Sequence, residues 1–64
     1  MAVLLRELPD GRTKISLRTS GDTDVAAAAR ALGGGGNVKA AGAVIEAPLA
    51  ESERRVLEVL EQSF

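Results

Sequence analysis

Residues alternate in character along "RTKISLRT", with Thr13, Ile15 and Leu17 on one side and Lys14, Ser16 and Arg18 on the other. A period of two marks a strand with one face buried and one face open. Upstream, Val3 to Leu8 is a short apolar run interrupted by charge, which predicts another strand. Between them, "PDG" at Pro9–Gly11 supplies a preset φ, a turn-favouring carboxylate and a residue that tolerates φ > 0. The first twenty residues thus predict a β-hairpin.

The period then changes. In "GDTDVAAAARALG", Val25, Ala28, Ala29 and Leu32 fall at i, i+3, i+4 and i+7, one narrow stripe of a helix. Asp24 is the expected N-cap, because its carboxylate can accept from orphan amides and complement the helix dipole. Gly33 takes the C′ role. "GAVIEA" predicts a third strand closed by Pro48, and strand, helix and strand in succession predict a right-handed crossover. "AESERRVLEVLEQSF" predicts a final helix with Val56, Leu57, Leu60 and Phe64 on its apolar side. Glu51 and Arg55 stand four apart in the favourable order. The expected architecture is one α+β domain over residues 1–64, of order β-β-α-β-α, a short mixed sheet packed by two helices.

Composition narrows the function. A domain of about 60 residues buries only about 60% of its unfolded surface, and such a core seldom supplies more than about 3–5 kcal/mol. With no Cys and no His among 64 residues, neither a disulfide nor a thiolate–imidazole metal cluster can staple it. A second domain or a second copy, giving a homodimer, is the expected source of further burial. The net charge of -1 provides no global field for long nucleic acid, so any phosphate must be held by a local site. One Phe, with no Trp or Tyr, excludes binding by stacking bases on several rings. The apolar runs are too short to span a bilayer, and "MAVLLRELPD" lacks the features of a signal peptide. A cytoplasmic location is expected, without membrane partners.

Two stretches carry candidate chemistry. The first is the glycine run in "GGGGNVKAAG", Gly33–Gly42. Alone, it reads as a flexible linker. Inside a domain this short, its entropic cost also fits a loop that lets another molecule approach the backbone, with successive N–H groups converging on an anion. It is neither a Walker loop nor a dinucleotide fingerprint, having no Gly-Lys-Ser/Thr and following a helix where that fingerprint follows a strand. The second stretch is "SLRTSGD", where Arg18 on the open strand face could grip a phosphate through parallel hydrogen bonds. Spacing alone favours an ordinary solvated face there.

Together, "SLRTSGDTDVAAAARALGGGGNVKAAGAVIEAPL" resembles the C-terminal DHH-associated domain of DHH-family phosphoesterases, a group with RecJ-like exonucleases and bifunctional oligoribonucleases that also dephosphorylate pAp. The family pattern is a Ser-Leu-Arg-Ser strand, a Gly-Asp-x-Asp-Val helix start and Gly-Gly-Gly-Gly-His-x-x-Ala-Ala-Gly before a strand. The resemblance covers nearly the whole chain, with the motifs in order and at the right spacing.

The resemblance implies that Arg18 clamps a phosphate and that Gly34, Gly35 and Gly36 cradle it. It also implies that Ala41 and Gly42 keep the floor beneath the loop low. It implies an oligonucleotide, pAp or cyclic-dinucleotide ligand and hydrolase chemistry in a separate DHH catalytic domain. That domain would hold two metal ions, expected to be manganese. This chain then contributes no catalytic or metal-binding residue and no cofactor, and should not hydrolyse anything alone. It would be the C-terminal part of a longer chain. Asn37 stands where the family has His, giving a neutral donor for a titratable one, so weaker phosphate binding is expected. Two other readings compete: a non-catalytic binding or self-association module, and a relative of the C-terminal domain of alanyl-tRNA synthetase.

Overall fold

The computed structural model describes residues 1–63, so the place expected for Phe64 on the last helix lies outside the described residues. The elements are β1 (Ala2–Glu7), β2 (Thr13–Arg18), α1 (Val25–Ala31), β3 (Gly35–Gly36), β4 (Ala40–Ile45) and α2 (Leu49–Ser63). The strands form a four-stranded sheet in the order β1-β2-β4-β3.

The α+β class and the two helices are as expected, and the structure corrects the sheet in two respects. It contains one more strand, β3, and every pairing is antiparallel, so it is not mixed. The crossover from β2 through α1 does lead to a strand running in the direction of β2. That strand is β3, and β4 then folds back as a hairpin and occupies the space between the two. The right-handed step onto an adjacent parallel strand is therefore absent.

Strand alternation sorts the sheet into two faces. Thr13, Ile15 and Leu17 are fully buried and lie opposite Ile45, Ala43 and Ala41. This face packs on the helices through Val25, Ala28 and Ala29 of α1 and Val56 of α2. Alanines on α1 add little bulk between helix and sheet. Asp24 caps α1 as expected, its Oδ1 accepting from the amides of Ala26 (3.0 Å) and Ala27 (3.1 Å).

On α2 the buried stripe is rotated from the expected one. Ser52 and Val56 are buried, and Val59 and Leu60 pack against the core, while Leu57 is 55% exposed. The stripe is set by where Ala47 delivers the chain. Ser52 Oγ donates to the Ala47 carbonyl at 3.1 Å and turns its own side of the helix inward. The Glu51–Arg55 pair forms at 2.6 Å.

The opposite face of the sheet carries no helix. Its positions are Ala2, Leu4 and Arg6 on β1, Lys14, Ser16 and Arg18 on β2, and Ala40, Gly42 and Val44 on β4. β1 is an outer strand, and of its six residues only Leu5 is half-buried.

Candidate functional site

The glycine run divides into two jobs. Gly33 and Gly34 end α1. The Gly33 amide donates to the Arg30 carbonyl at 3.0 Å and the Gly34 amide to that of Ala29 at 2.8 Å, the paired bonds of a Schellman motif. Gly33 sits at φ 89°, a conformation a side chain would oppose. Gly35 and Gly36 form β3, opposite Gly42 and Ala41.

This arrangement corrects the expected amide cradle. Gly34 has no free N–H to offer an anion. Asn37 and Ala40 exchange both main-chain bonds, at 2.8 and 3.2 Å, so the ladder alternates to make Gly36–Ala41 a rung without hydrogen bonds and Gly35–Gly42 a bonded one. The Gly36 amide alone of Gly34–Gly36 therefore points to the outer edge of the sheet. What requires glycine at position 34 is crowding. A Cβ there would lie 2.1 Å from the Gly42 carbonyl oxygen and 2.7 Å from the Ala43 Cα.

The remaining candidates gather on the open face. Arg18 lies opposite Ala40, and Ala40 opposite Asn37, so the three form one row across β2, β4 and the end of β3. Two strand spacings put the Arg18 and Asn37 main chains about 10 Å apart, with the methyl of Ala40 between them. The next row is Ser16, Gly42 and Gly35. There the main chain is bare, and a shallow groove of about 440 Å³ opens over Arg18, Ala40, Ser16, Gly42 and Gly35, with Asn37 outside its lining. Both Arg18 and Asn37 are exposed, and Arg18 joins none of the ion pairs among the described residues. Ala41 departs from expectation. It shares the face of buried Leu17, toward the helices, so the low floor belongs to Gly42.

Surrounding bonds fix the row in place. Thr19 N–H donates to the Lys39 carbonyl and Val25 N–H to the Val38 carbonyl, each at 3.0 Å. The β3–β4 turn is thereby tied to the end of β2 and the start of α1. Lys39 Nζ donates to the Gly21 carbonyl at 2.5 Å. Thr19 Oγ1 accepts from the Gly21 amide at 3.1 Å, ordering the loop after Arg18. Sequence reasoning missed Ala40, because only the register shows that it separates Arg18 from Asn37.

The DHHA1 domain family model matches residues 1–64. This chain belongs to the DHHA1 domain family. DHHA1 domains are the DHH-associated domains found with the catalytic domain of DHH-family phosphoesterases. No curated protein sequence matches the chain. Within this DHHA1 domain, no three His, Cys, Asp or Glu side chains among the described residues stand together as a metal-ligand set. No helix among the described residues is long and apolar enough to cross a membrane.

Proposed function

We propose that this domain holds the phosphate of a nucleotide or short oligonucleotide and presents it to the metal-bearing domain of a DHH-family phosphoesterase, where hydrolysis occurs. The observation that carries this reading is the Arg18–Ala40–Asn37 row bordering the bare main chain of Gly42 and Gly35. Arg18 supplies a charge-assisted fork to two phosphate oxygens. Asn37 supplies a neutral amide donor from the other side of Ala40. The glycines let the sugar or phosphate lie against the sheet without steric relief from a side chain. The clamp is built from side chains on a smooth floor rather than from a nest of amides.

The test is an NMR titration of the 64-residue chain with pAp and with a dinucleotide. Amide signals of Gly35, Gly36 and Gly42 and the Arg18 Nε signal should move, and Arg18→Ala should abolish the movement. Unmoved signals at millimolar ligand overturn the reading. A second reading, self-association, is favoured by the outer strand β1, where Val3 is 38% and Leu4 66% exposed. Unpaired strand edges of this kind recruit another chain. A sedimentation profile that stays monomeric as concentration rises removes it.

A further inference from the structure

Arg6 in β1 and Lys14 in β2 stand directly opposite each other in the antiparallel register. Both lie on the open face, with Cβ atoms about 5 Å apart. Like charges in this position destabilise a strand pair, and none of the ion pairs among the described residues includes either one. Their neighbours on that face are Leu4, Ser16, Gly42 and Val44, with Arg12 two residues before Lys14 and Glu46 diagonal to it. The nearest carboxylate facing the same way is Glu46. Continuing the β2–β4 register places it opposite Arg12, which already pairs with Asp10. A depression lined by Leu4, Arg6, Lys14 and Ser16 lies over the pair. Two cations thus stand together, and neither joins an ion pair among the described residues.

We propose that Arg6 and Lys14 form a second anion site, for a phosphodiester further along a nucleic-acid strand whose end is held at Arg18. This rests on the reading of Arg18 given above. Lys14 lies four residues from Arg18 on β2, about 13 Å at about 3.3 Å per residue. A stacked strand advances about 3.4 Å per nucleotide, so the two sites are about four nucleotides apart when the strand is stacked and fewer when it is stretched. The face between them is serine, glycine and alanine, without an aromatic ring. Contact is therefore with the backbone and indifferent to base sequence. An acidic protein surface is the poorer occupant, because protein interfaces are anchored by an apolar core and this face offers only Leu4 and Val44.

The experiment measures fluorescence anisotropy of the 64-residue chain with an adenylate dinucleotide and a hexanucleotide across a range of salt. The hexanucleotide should bind about tenfold tighter, since one more phosphate is neutralised and releases further counterions. In the Arg6→Ala/Lys14→Ala variant that ratio should fall toward one. The slope of log K against log salt for the hexanucleotide should shrink by about 0.7, the value for one neutralised phosphate on a single strand. Arg6→Gln/Lys14→Gln, which preserves side-chain length, should give the same result. A ratio near one in the unsubstituted chain, a ratio unchanged in either double variant, or polyglutamate binding as tightly as the hexanucleotide overturns the proposal. Should Arg18→Ala leave dinucleotide binding intact, the clamp at Arg18 fails instead. The hexanucleotide-to-dinucleotide ratio still judges Arg6 and Lys14 separately.

Discussion

Thr13, at the start of β2, donates its hydroxyl to the carbonyl of Ala47 at 2.9 Å, across 34 positions of sequence. Ser52 donates to the same oxygen, and both side chains are fully buried. One carbonyl therefore joins the sheet, the β4–α2 connection and the first turns of α2. Replacing both donors, in Thr13→Val/Ser52→Ala, leaves that buried oxygen without either hydroxyl. The expected loss is about 1–3 kcal/mol beyond packing changes. Urea denaturation of the two single variants and the double variant should show non-additivity, because either hydroxyl alone still satisfies the oxygen.

Neighbouring glycines should respond in opposite ways. Gly34→Ala drives a methyl into the Gly42 carbonyl and the Ala43 backbone, neither of which is a flexible side-chain end. It should cost more than about 2 kcal/mol and broaden the NMR spectrum of β3 and β4. At Gly35 a Cβ meets nothing within 4 Å. Gly35→Ala should fold with a change of less than about 1 kcal/mol. Its methyl rises into the proposed groove, so dinucleotide binding should weaken while the denaturation midpoint holds. Equal loss of stability in the two variants would contradict this division.

Asn37→His should introduce a pH dependence that the chain now lacks at this position. Imidazolium forms as pH falls through about 6.5. Beside Arg18 it would add a charged donor, roughly twice as strong as a neutral one. Affinity for an unphosphorylated dinucleotide, whose phosphodiester does not titrate there, should rise several-fold from pH 8 to pH 5.5. With asparagine the same titration should stay nearly flat. Calorimetry at the two pH values reads the difference.

Acid should loosen the first hairpin through Asp10. Its Oδ1 accepts from the Arg12 amide at 3.1 Å and its Oδ2 from Arg12 Nε at 2.8 Å. The Arg12 amide bond chiefly holds its carboxyl below the ordinary aspartate value, desolvation opposes it, and the Arg12 guanidinium adds to the lowering. A depressed folded value stabilises above the unfolded pKa of about 3.9 and loses that contribution as pH falls further. The stability gap between the parent chain and Asp10→Asn should therefore narrow between pH 6 and pH 2.5. The carboxylate is exposed to solvent, so the gap should be small at any pH.

Side-chain pattern made much of this fold legible. Alternation through Thr13–Arg18 gave both faces of β2 correctly, and Asp24 and Gly33 announced the two ends of α1. What failed had no side chain to read. Gly35 and Gly36 carry neither periodicity nor strand propensity, so β3 is visible only through its pairing with β4. Strand direction followed from that same hairpin, which turned an expected parallel neighbour into an antiparallel one. The fate of the Gly34 amide was hidden for a related reason. Helix capping and anion binding draw on the same free N–H groups, and only coordinates show which takes them. Of the proposed site, Arg18 and Gly42 were readable from strand alternation and resemblance. Their alignment with Ala40 and Asn37 depends on register.

The four consecutive glycines are consumed one after another: a left-handed stop, a close crossing over Ala43, then two rungs of ladder. Length is consequently as much a determinant here as composition. Deleting a single glycine would slide the following segment by one position and invert its pleat, turning Asn37 away from Arg18 and toward the helices. Insertions and deletions at this point should be far less tolerated than in the loop Thr19–Asp24, where no rung depends on the count. A library of loop-length variants, sorted for folding and then for ligand capture, would expose that asymmetry without changing a single side chain in the groove.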